Sequence, residues 1–437
     1  MAIKQGNNMK ERLAIVDGIR SPFCKSGSSM ANILADDLGA VIVKELIART
    51  DIDFTLIDEL IFGNVGQPAN APNIARVIAL KAGLPLEVIA HTVHRNCASG
   101  MESVTTGFDK LLAGNANILI AGGTESMSNL PINFSKKMTR IFENVMKAKS
   151  IGQKLSAISA LRPADLKPVI AIIEGLTDPV CGLSMGQTAE VLAREFAITR
   201  EQQDKFALQS HLKAAKANTA GYFAQEIHPI MLPPNYDNVQ FDDNSIRPDQ
   251  SLAKLAKLKP FFDRVAGTVT AANACPITDG AGAVLIMLES KAKELGYSPL
   301  GYLKEYSYAG LQPERMGLGP VYATSKLLNK TGMSMADFDL VELNEAFAAQ
   351  VIANQKAFAS AIFAQKYLHK DKALGVLDDD LLNVNGGAIA LGHPVGATGT
   401  RLIITMLNAL RRSNKNCGLV TLCIGGGQGA ALVLEVE

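Results

Sequence analysis

No surplus of either charge sign runs through this 437-residue chain, in which 43 Lys and Arg stand against 42 Asp and Glu. That balance supplies no overall field to draw in a nucleic-acid backbone, so nucleic acid is not an expected partner and any anionic ligand must be met by a local patch. Close cysteine pairs are also lacking. The six cysteines, Cys24, Cys97, Cys181, Cys275, Cys417 and Cys423, are thinly scattered, which excludes a zinc site or a disulfide scaffold and leaves reduced thiols and no metal as the expectation. No uncharged apolar run reaches the ~18 residues a bilayer-spanning helix needs. The opening "MAIKQGNNMKERLAIVDG" has neither the apolar core of a signal peptide nor an Arg/Ser-rich, acid-poor presequence, so a cytoplasmic location is expected. Neither GxGxxG nor GxxxxGKS occurs with its strand-before-helix spacing, which argues against a mononucleotide site.

What is present is apolar material in alternating registers. With 48% hydrophobic and 19% charged residues, the chain can bury a large core spread over two or more domains. Strand-like "RLAIVDG" precedes the helical pattern "DDLGAVIVKELIART", and "IDELIFGNV" leads into "NIARVIALKAG". Short buried runs alternating with amphipathic ones predict α/β layering. The two ends of the chain also repeat one another. "IDELIFGNV" (57–65) resembles "FDLVELNEA" (338–346), placing Asp58 on Asp339 and Asn64 on Glu345. "GAGAVLIML" (280–288) resembles "GQGAALVLE" (427–435), and the helix end, turn and strand of 111–123 recur in 410–427. Three collinear matches imply a duplicated α/β unit, with domains expected over 1–290 and 291–437.

Residues from about 128 to 265 have no counterpart in the second half and read as an inserted, mainly helical loop domain. Within 136–167 the basic residues Lys136, Lys137, Arg140, Lys147, Lys149, Lys154, Arg162 and Lys167 outnumber Glu143 and Asp165. Ile141, Val145, Ile151, Leu155 and Ile158 interleave them at roughly helical spacing. Such a segment suits a membrane surface or a partner subunit; a solvated helix packed on its own core fits equally.

Four segments carry chemistry. In "AHTVHRNCASGMES" the approach reads as strand and the sequel as helix, so Cys97 stands at a helix N-terminus. There the dipole favours a thiolate, and backbone N–H groups face a developing oxyanion. Taken alone, a buried structural cysteine fits as well. "NVNGGAIALGHPVGATGTR" (383–401) is dense in glycine, as a backbone that approaches a ligand closely must be, and it fixes His393 between Gly392 and Pro394, where an imidazole can serve as a base. "LVTLCIGGGQGAA" (419–431) puts Cys423 at the end of an apolar strand before three glycines, and equivalent strand ends of a duplicated frame converge. "NEAFAAQ" (344–350) opens a helix with Asn344, which by itself is also a plain N-cap.

These four segments, in this order and on a duplicated frame, resemble the thiolase family over essentially the whole chain, with "FDRVAGTVTAANACPITDGAGAVL" as a further landmark. The basic loop, "DDNSIRP" and "LAKLKPFFDR" further resemble the degradative 3-ketoacyl-CoA thiolases that serve as β-subunits of fatty-acid oxidation complexes. The resemblance implies an α/β thiolase fold of two layered halves with mixed sheets. It implies CoA as co-substrate, no tightly bound cofactor, and cleavage of 3-ketoacyl-CoA to acetyl-CoA and a shortened acyl-CoA. Acetoacetyl-CoA thiolase working in the condensation direction is the alternative.

By the same resemblance Cys97 is the nucleophile, His393 takes its proton, and Cys423 moves the α-proton. His393 with a water held by Asn344 meets the enolate, and the N–H groups of Cys97 and Gly425 meet the tetrahedral adduct. Arg247, Met185 and Cys275 are implied as CoA contacts; Cys275 stands where many relatives have serine, and Asn344 where some complex-type relatives have histidine. Implied partners are a second copy in a homodimer or homotetramer, a hydratase/dehydrogenase α-subunit, and a peripheral membrane contact through 136–167. Three rivals are weaker. A cysteine hydrolase built on Cys97, His393 and Asn344 would leave Cys423 without a task, a condensing ketoacyl synthase would pair its cysteine with two histidines or His/Asn, and a silent scaffold would not need all four segments.

Overall fold

The computed structural model describes residues 11–437; residues 1–10 of the opening stretch read above for a leader lie outside the described residues. Nine strands carry the fold. In the first half they are β1 (Leu13–Arg20), β2 (Glu59–Gly63), β3 (Ile89–Val93), β4 (Ile118–Ser126) and β5 (Thr278–Leu288). In the second they are β6 (Gly301–Gly310), β7 (Leu340–Leu343), β8 (Cys417–Ile424) and β9 (Gln428–Glu435). Their spatial order is β7-β8-β9-β6-β1-β5-β4-β2-β3. The halves join where β1 and β6 pair antiparallel, Leu13 against Leu303 and Ile15 against Gly301. β2 runs parallel to β3 and β4, β7 parallel to β8, and the remaining neighbours are antiparallel. All nine residues of β4 are buried, so it reads as a continuous apolar run because both of its faces are covered.

The principal helices are α1 (Ala35–Thr50), α2 (Ile74–Ala82), α3 (Ser99–Leu112), α4 (Lys136–Lys147), α5 (Ile151–Ser159), α6 (Met185–Glu195) and α7 (Arg200–Thr219). They continue with α8 (Gly319–Thr331), α9 (Ala348–Phe358), the single turn α10 (Ala388–Leu391) and α11 (Thr398–Ser413). Three apolar clusters separate the layers. One packs Leu38, Ile42, Leu46 and Ile78 of α1 and α2 on one face of the first-half strands. Another packs Val321, Leu327, Val351 and Phe358 of α8 and α9 on the outer face of the second-half strands. Between the halves, Met101, Val104 and Phe108 of α3 meet Leu402, Ile403 and Leu407 of α11, with Leu119 and Val420 from the two halves of the sheet. Five layers result, and α3 and α11 form the middle one.

Each repeat seen in the sequence falls on equivalent elements: β2 with β7, β5 with β9, and the α3–β4 passage with α11–β8. Even the side-chain work is duplicated. Asp58 Oδ2 accepts the backbone N–H groups of Asn117 and Ile118 at 2.6 and 3.0 Å, and Asp339 Oδ2 accepts those of Asn416 and Cys417 at 3.0 Å each. The halves differ in two places: β3 has no strand counterpart in the second half, where β7 ends the sheet path, and one connection is far longer in the first half. β8 and β9 are joined by Gly425, Gly426 and Gly427 alone, whereas the equivalent β4 and β5 are separated by residues 127–277. That excursion holds α4 to α7. Within it the stretch from Gly186 to Ala217 is two helices, because Ala197 turns at φ 48° and Thr199 with Gln202 forms a new capping box for α7.

Candidate active site

Cys97 lies in a turn, not on a strand. β3 ends at Val93 and α3 starts at Ser99, so the expected strand up to the cysteine is shorter by four residues. The cause is Asn96, held at φ 44°, a left-handed conformation that asparagine tolerates and that ends a strand. Ser99 Oγ locks this turn by accepting the Arg95 N–H at 2.9 Å and donating to the Asn96 carbonyl at 2.7 Å. Asn96 Nδ2 then donates to the Gly425 carbonyl at 2.8 Å, tying the Cys97 turn to the triple-glycine turn of the other half.

α3 and α11 bring in the third part. At Gly100 a Cβ would lie 2.8 Å from the Thr400 backbone nitrogen, and at Gly123 one would lie 1.9 Å from the Gly396 carbonyl oxygen. Only glycine permits these approaches, and they press the His393 loop against the Cys97 turn. Glu125 fixes that loop from below: its carboxylate accepts the N–H groups of Gly66 at 2.8 Å and of Val65 and Gly396 at 3.0 Å each. His393 is buried. Its Nδ1 is 2.6 Å from Thr398 Oγ1, while its Nε2 is buried with no hydrogen-bond partner among the described residues.

Cys423 is the penultimate residue of β8 and is buried. Asn344 follows the neighbouring strand β7, its N–H donating to the Thr421 carbonyl at 3.0 Å, and both its side-chain amide atoms are buried and unpartnered among the described residues. α9 starts only at Ala348 with Phe347 as its cap, so Asn344 is not an N-cap and its amide is free for other work. Cys275 is docked on the same segment by its N–H to the Ala346 carbonyl at 3.0 Å. The three thiols are close enough that ionising Cys97 would be felt at both Cys275 and Cys423. Met185, the first residue of α6, stands over the triple glycine, its sulfur 3.3 Å from where a Gly425 Cβ would lie. Arg247 is apart from this cluster. It is exposed on the loop beside α7, with its N–H on His211 Nδ1 at 3.3 Å, and its guanidinium has no carboxylate partner among the described residues.

Burial dominates the electrostatics. Desolvation raises the Cys97 pKa, against the N–H groups of Gly425 and of Cys97 itself, which lower it. Loss of water likewise holds Cys423 well above the ordinary thiol value and pushes Cys275 up to about 12. The expected preference for a thiolate at the α3 N-terminus is therefore overridden in the resting site. His393 is pushed down to about 3, first by desolvation and then by the charge of Arg401. The resting pair is a neutral thiol and a neutral imidazole. Among the described residues there is no group of three or more His, Cys, Asp or Glu arranged to hold a metal ion, and no helix long and apolar enough to cross a membrane.

Two family descriptions account for the chain: Thiolase, N-terminal domain, matches residues 13–290, and Thiolase, C-terminal domain, matches residues 297–436. The chain belongs to the thiolase family. Its relatives include a 3-ketoacyl-CoA thiolase of Yersinia pestis (strain Pestoides F) and one of Yersinia pseudotuberculosis (serotype O:1b), each 47% identical over 98% of this chain and 97% of their own. Among solved structures, human mitochondrial 3-ketoacyl-CoA thiolase superposes with a TM-score of 0.84 at 35% identity, covering 98% of this chain and 99% of that one. A CoA complex of the human enzyme matches equally, with a TM-score of 0.84 and 98% of each chain. The Bacillus anthracis acetyl-CoA acetyltransferase superposes with a TM-score of 0.86 at 34% identity, covering 98% and 99%.

Sequence reading missed the residues that hold this thiolase site together, namely Asn96, Glu125, Thr278 and Thr398. Only Asn96, directly beside the cysteine, carried a local signal, since Asn before a turn favours positive φ. The others act across long sequence separations that no local pattern marks.

Proposed function

We propose that the chain is a 3-ketoacyl-CoA thiolase of fatty-acid β-oxidation, an acyltransferase that cleaves its substrate with free CoA through an acyl-enzyme on Cys97. The observation that carries this reading is the closeness of the Cys97 and Cys423 thiols, from different halves, together with a buried imidazole nitrogen on His393 and a buried carboxamide on Asn344 that have no partner among the described residues. Acyl transfer alone needs one thiol. Breaking a C–C bond needs a second acid as well.

In cleavage, the Cys97 proton passes to His393 Nε2 as the sulfur attacks the 3-keto carbon. The oxyanion formed there is met by the N–H groups of Cys97 and Gly425, the two groups that face the resting sulfur. Collapse breaks the C2–C3 bond; the acetyl-CoA enolate is held by the His393 Nε2–H and a water on Asn344, and Cys423 protonates its carbon. Incoming CoA then gives its proton to the Cys423 thiolate and attacks the thioester, and Cys97 leaves with the proton stored on His393. Every proton is returned. Donors of this kind are worth ~10²–10³ in rate each.

Met185, Cys275 and Arg247 are assigned to CoA, with Met185 and Cys275 lining the pantetheine end and Arg247 the outer adenine end. The 47% identity to 3-ketoacyl-CoA thiolases over nearly the full length supports degradation over acetoacetyl-CoA synthesis. Turnover measured on 3-ketoacyl-CoA substrates from four carbons upward decides it, since activity confined to the four-carbon substrate would establish the alternative. Cys97→Ser should abolish transfer, and mass spectrometry of wild type treated with acyl-CoA should find the acyl group on Cys97; an adduct on any other cysteine refutes the assignment.

A cytoplasmic enzyme is proposed, working as a homodimer or homotetramer. β3 lies at the free end of the sheet path with Ile89 61% exposed, and such an open edge suits a second copy. α4 and α5 support the further contact. Met138 and Ile141 face inward, but Met146 and Ile151 are 86% and 78% exposed, beside Lys136, Arg140, Lys149 and Lys154. This face suits an anionic bilayer surface or an apolar face of a hydratase/dehydrogenase α-subunit; vesicle flotation and co-purification separate the two.

A further inference from the structure

Thr398 Oγ1 is placed between two acceptor-capable atoms. It lies 2.6 Å from His393 Nδ1 and 3.0 Å from the Pro394 carbonyl oxygen. A threonine hydroxyl has one hydrogen to give, and a carbonyl oxygen has none. Both contacts are hydrogen bonds at once only if the hydroxyl donates to Pro394 and receives an N–H from Nδ1. In the reverse arrangement the hydroxyl would donate to Nδ1, leaving two oxygens 3.0 Å apart with no hydrogen between them. The hydroxyl has little freedom to leave this position. Thr398 is wholly buried at the first turn of α11, and its own N–H also donates to the Pro394 carbonyl at 2.9 Å.

The ring is clamped at its backbone as well. The His393 N–H donates to Thr278 Oγ1 at 3.2 Å, and that hydroxyl donates to the Pro276 carbonyl at 2.7 Å. Thr278 thus joins the histidine loop to the segment that carries Cys275. What remains of the imidazole is Nε2, buried and unpartnered among the described residues.

We propose that Thr398 is a positioning residue that fixes His393 as the Nδ1–H tautomer and so presents Nε2 to the thiol pocket as a bare base. The inference rests on the reading of His393 as the proton acceptor for Cys97 and supplies what that reading lacks, a reason for the correct nitrogen to be free. A neutral imidazole in water populates both tautomers; here the hydrogen bond made by one nitrogen decides the state of the other. When Nε2 takes the thiol proton, the Nδ1–H bond to Thr398 persists, so the ring need not reorient between accepting the proton and donating to the enolate oxygen.

The test starts with wild-type enzyme uniformly ¹⁵N-labelled at histidine, with the His393 resonances assigned by their loss in His393→Gln. At neutral pH, Nδ1 should show a pyrrole-type and Nε2 a pyridine-type shift; the opposite pair overturns the proposal whatever any variant does. Thr398→Val keeps the side-chain shape and removes the hydroxyl. It should mix the tautomers and lower kcat/KM by 10-fold or more, bounded by the ~10⁴ lost when a catalytic histidine is held in the wrong tautomer. Thr398→Ser should restore both the shifts and the rate. A folded Thr398→Val enzyme with wild-type shifts and wild-type rate refutes the role of Thr398. Full activity in His393→Gln would instead refute the base assignment on which it rests.

Discussion

Asn96 and Gly425, 329 positions apart, are joined by the bond from Asn96 Nδ2 to the Gly425 carbonyl at 2.8 Å. This bond holds the Cys97 turn and the triple-glycine turn in one register, and so sets where the Gly425 N–H points. Replacement by alanine would remove the bond and also strain a backbone at φ 44°, so Asn96→Gly is the cleaner change because glycine accepts that φ. Asn96→Gly should lower kcat by up to ~10²–10³, the range for losing one oxyanion donor. Its stability loss should stay near ~1 kcal/mol, the net worth of one hydrogen bond. Unchanged kcat would show that Gly425 is held by its own turn.

Thiol chemistry should report the neutral resting pair. Because burial raises the Cys97 pKa and only the thiolate attacks an alkylating agent, iodoacetamide should modify Cys97 slowly at pH 7 and faster as pH rises past the ordinary thiol value. An acyl-CoA, which brings its own oxyanion to the Cys97 and Gly425 N–H groups, should acylate Cys97 readily at pH 7. Rapid alkylation at neutral pH would mean that the dipole of α3 prevails over desolvation.

That contrast shows how far the sequence carries. The repeat was legible because buried strands are apolar runs and because Asp58 and Asp339 recur at the same offset before a strand; their duplicated hydrogen bonds follow from that offset. The four chemical segments were legible as residue types in order. The balance between dipole and desolvation at Cys97 was not, since it depends on how tightly the walls of α3, the triple glycine and the Cys275 segment close around the sulfur. Nor was Thr398 marked, because its partner is set by the fold of the glycine-rich loop. The break between α6 and α7 was written in Thr199 and Gln202, but an unbroken helical pattern masked the capping box.

Acid should act through His211. This ring is buried on α7 and pushed down to about 4 by desolvation and then by the charge of Arg247, and its Nδ1 already accepts the Arg247 N–H. The native state therefore refuses a proton that the unfolded chain takes up near its ordinary value of 6.5. Stability should be lost as pH falls from about 6.5 toward 4, by about 3 kcal/mol once both states are protonated, and His393 adds a loss of the same sign. Over the same window the Arg247 loop should loosen, raising KM for CoA. Thermal unfolding from pH 7 to 4 should fall less steeply in His211→Gln than in wild type; identical slopes would discount His211.

The α4–α5 hairpin gives a salt-dependent outcome. Replacing Lys136, Arg140, Lys149 and Lys154 by glutamine should weaken binding to anionic vesicles, with turnover of a short soluble substrate unchanged. The wild-type attraction should itself fade between 10 and 500 mM salt, as the Debye length falls below ~8 Å. Vesicle binding that ignores both charge and salt would leave only the apolar residues Met146, Ile151 and Leu155 as its source.

The two pocket thiols should separate by reaction. In the proposed mechanism Cys97 carries the acyl group in every turnover, whereas Cys423 moves protons only at the α-carbon and at the incoming CoA. Cys423→Ala removes a buried sulfur that no side chain among the described residues hydrogen-bonds, and alanine fits the same strand, so the fold should survive with a modest loss in melting temperature. C–C cleavage and condensation should fall by at least the ~10²–10⁴ of general acid–base assistance. Exchange of labelled CoA into a saturated acyl-CoA needs no α-proton and should persist in part, since bulk solvent can accept the CoA thiol proton. Running both assays on one preparation makes the comparison internal. Equal losses in exchange and cleavage would mean that Cys423 serves Cys97 or the local packing, and the assignment of the α-proton to its sulfur would have to be withdrawn.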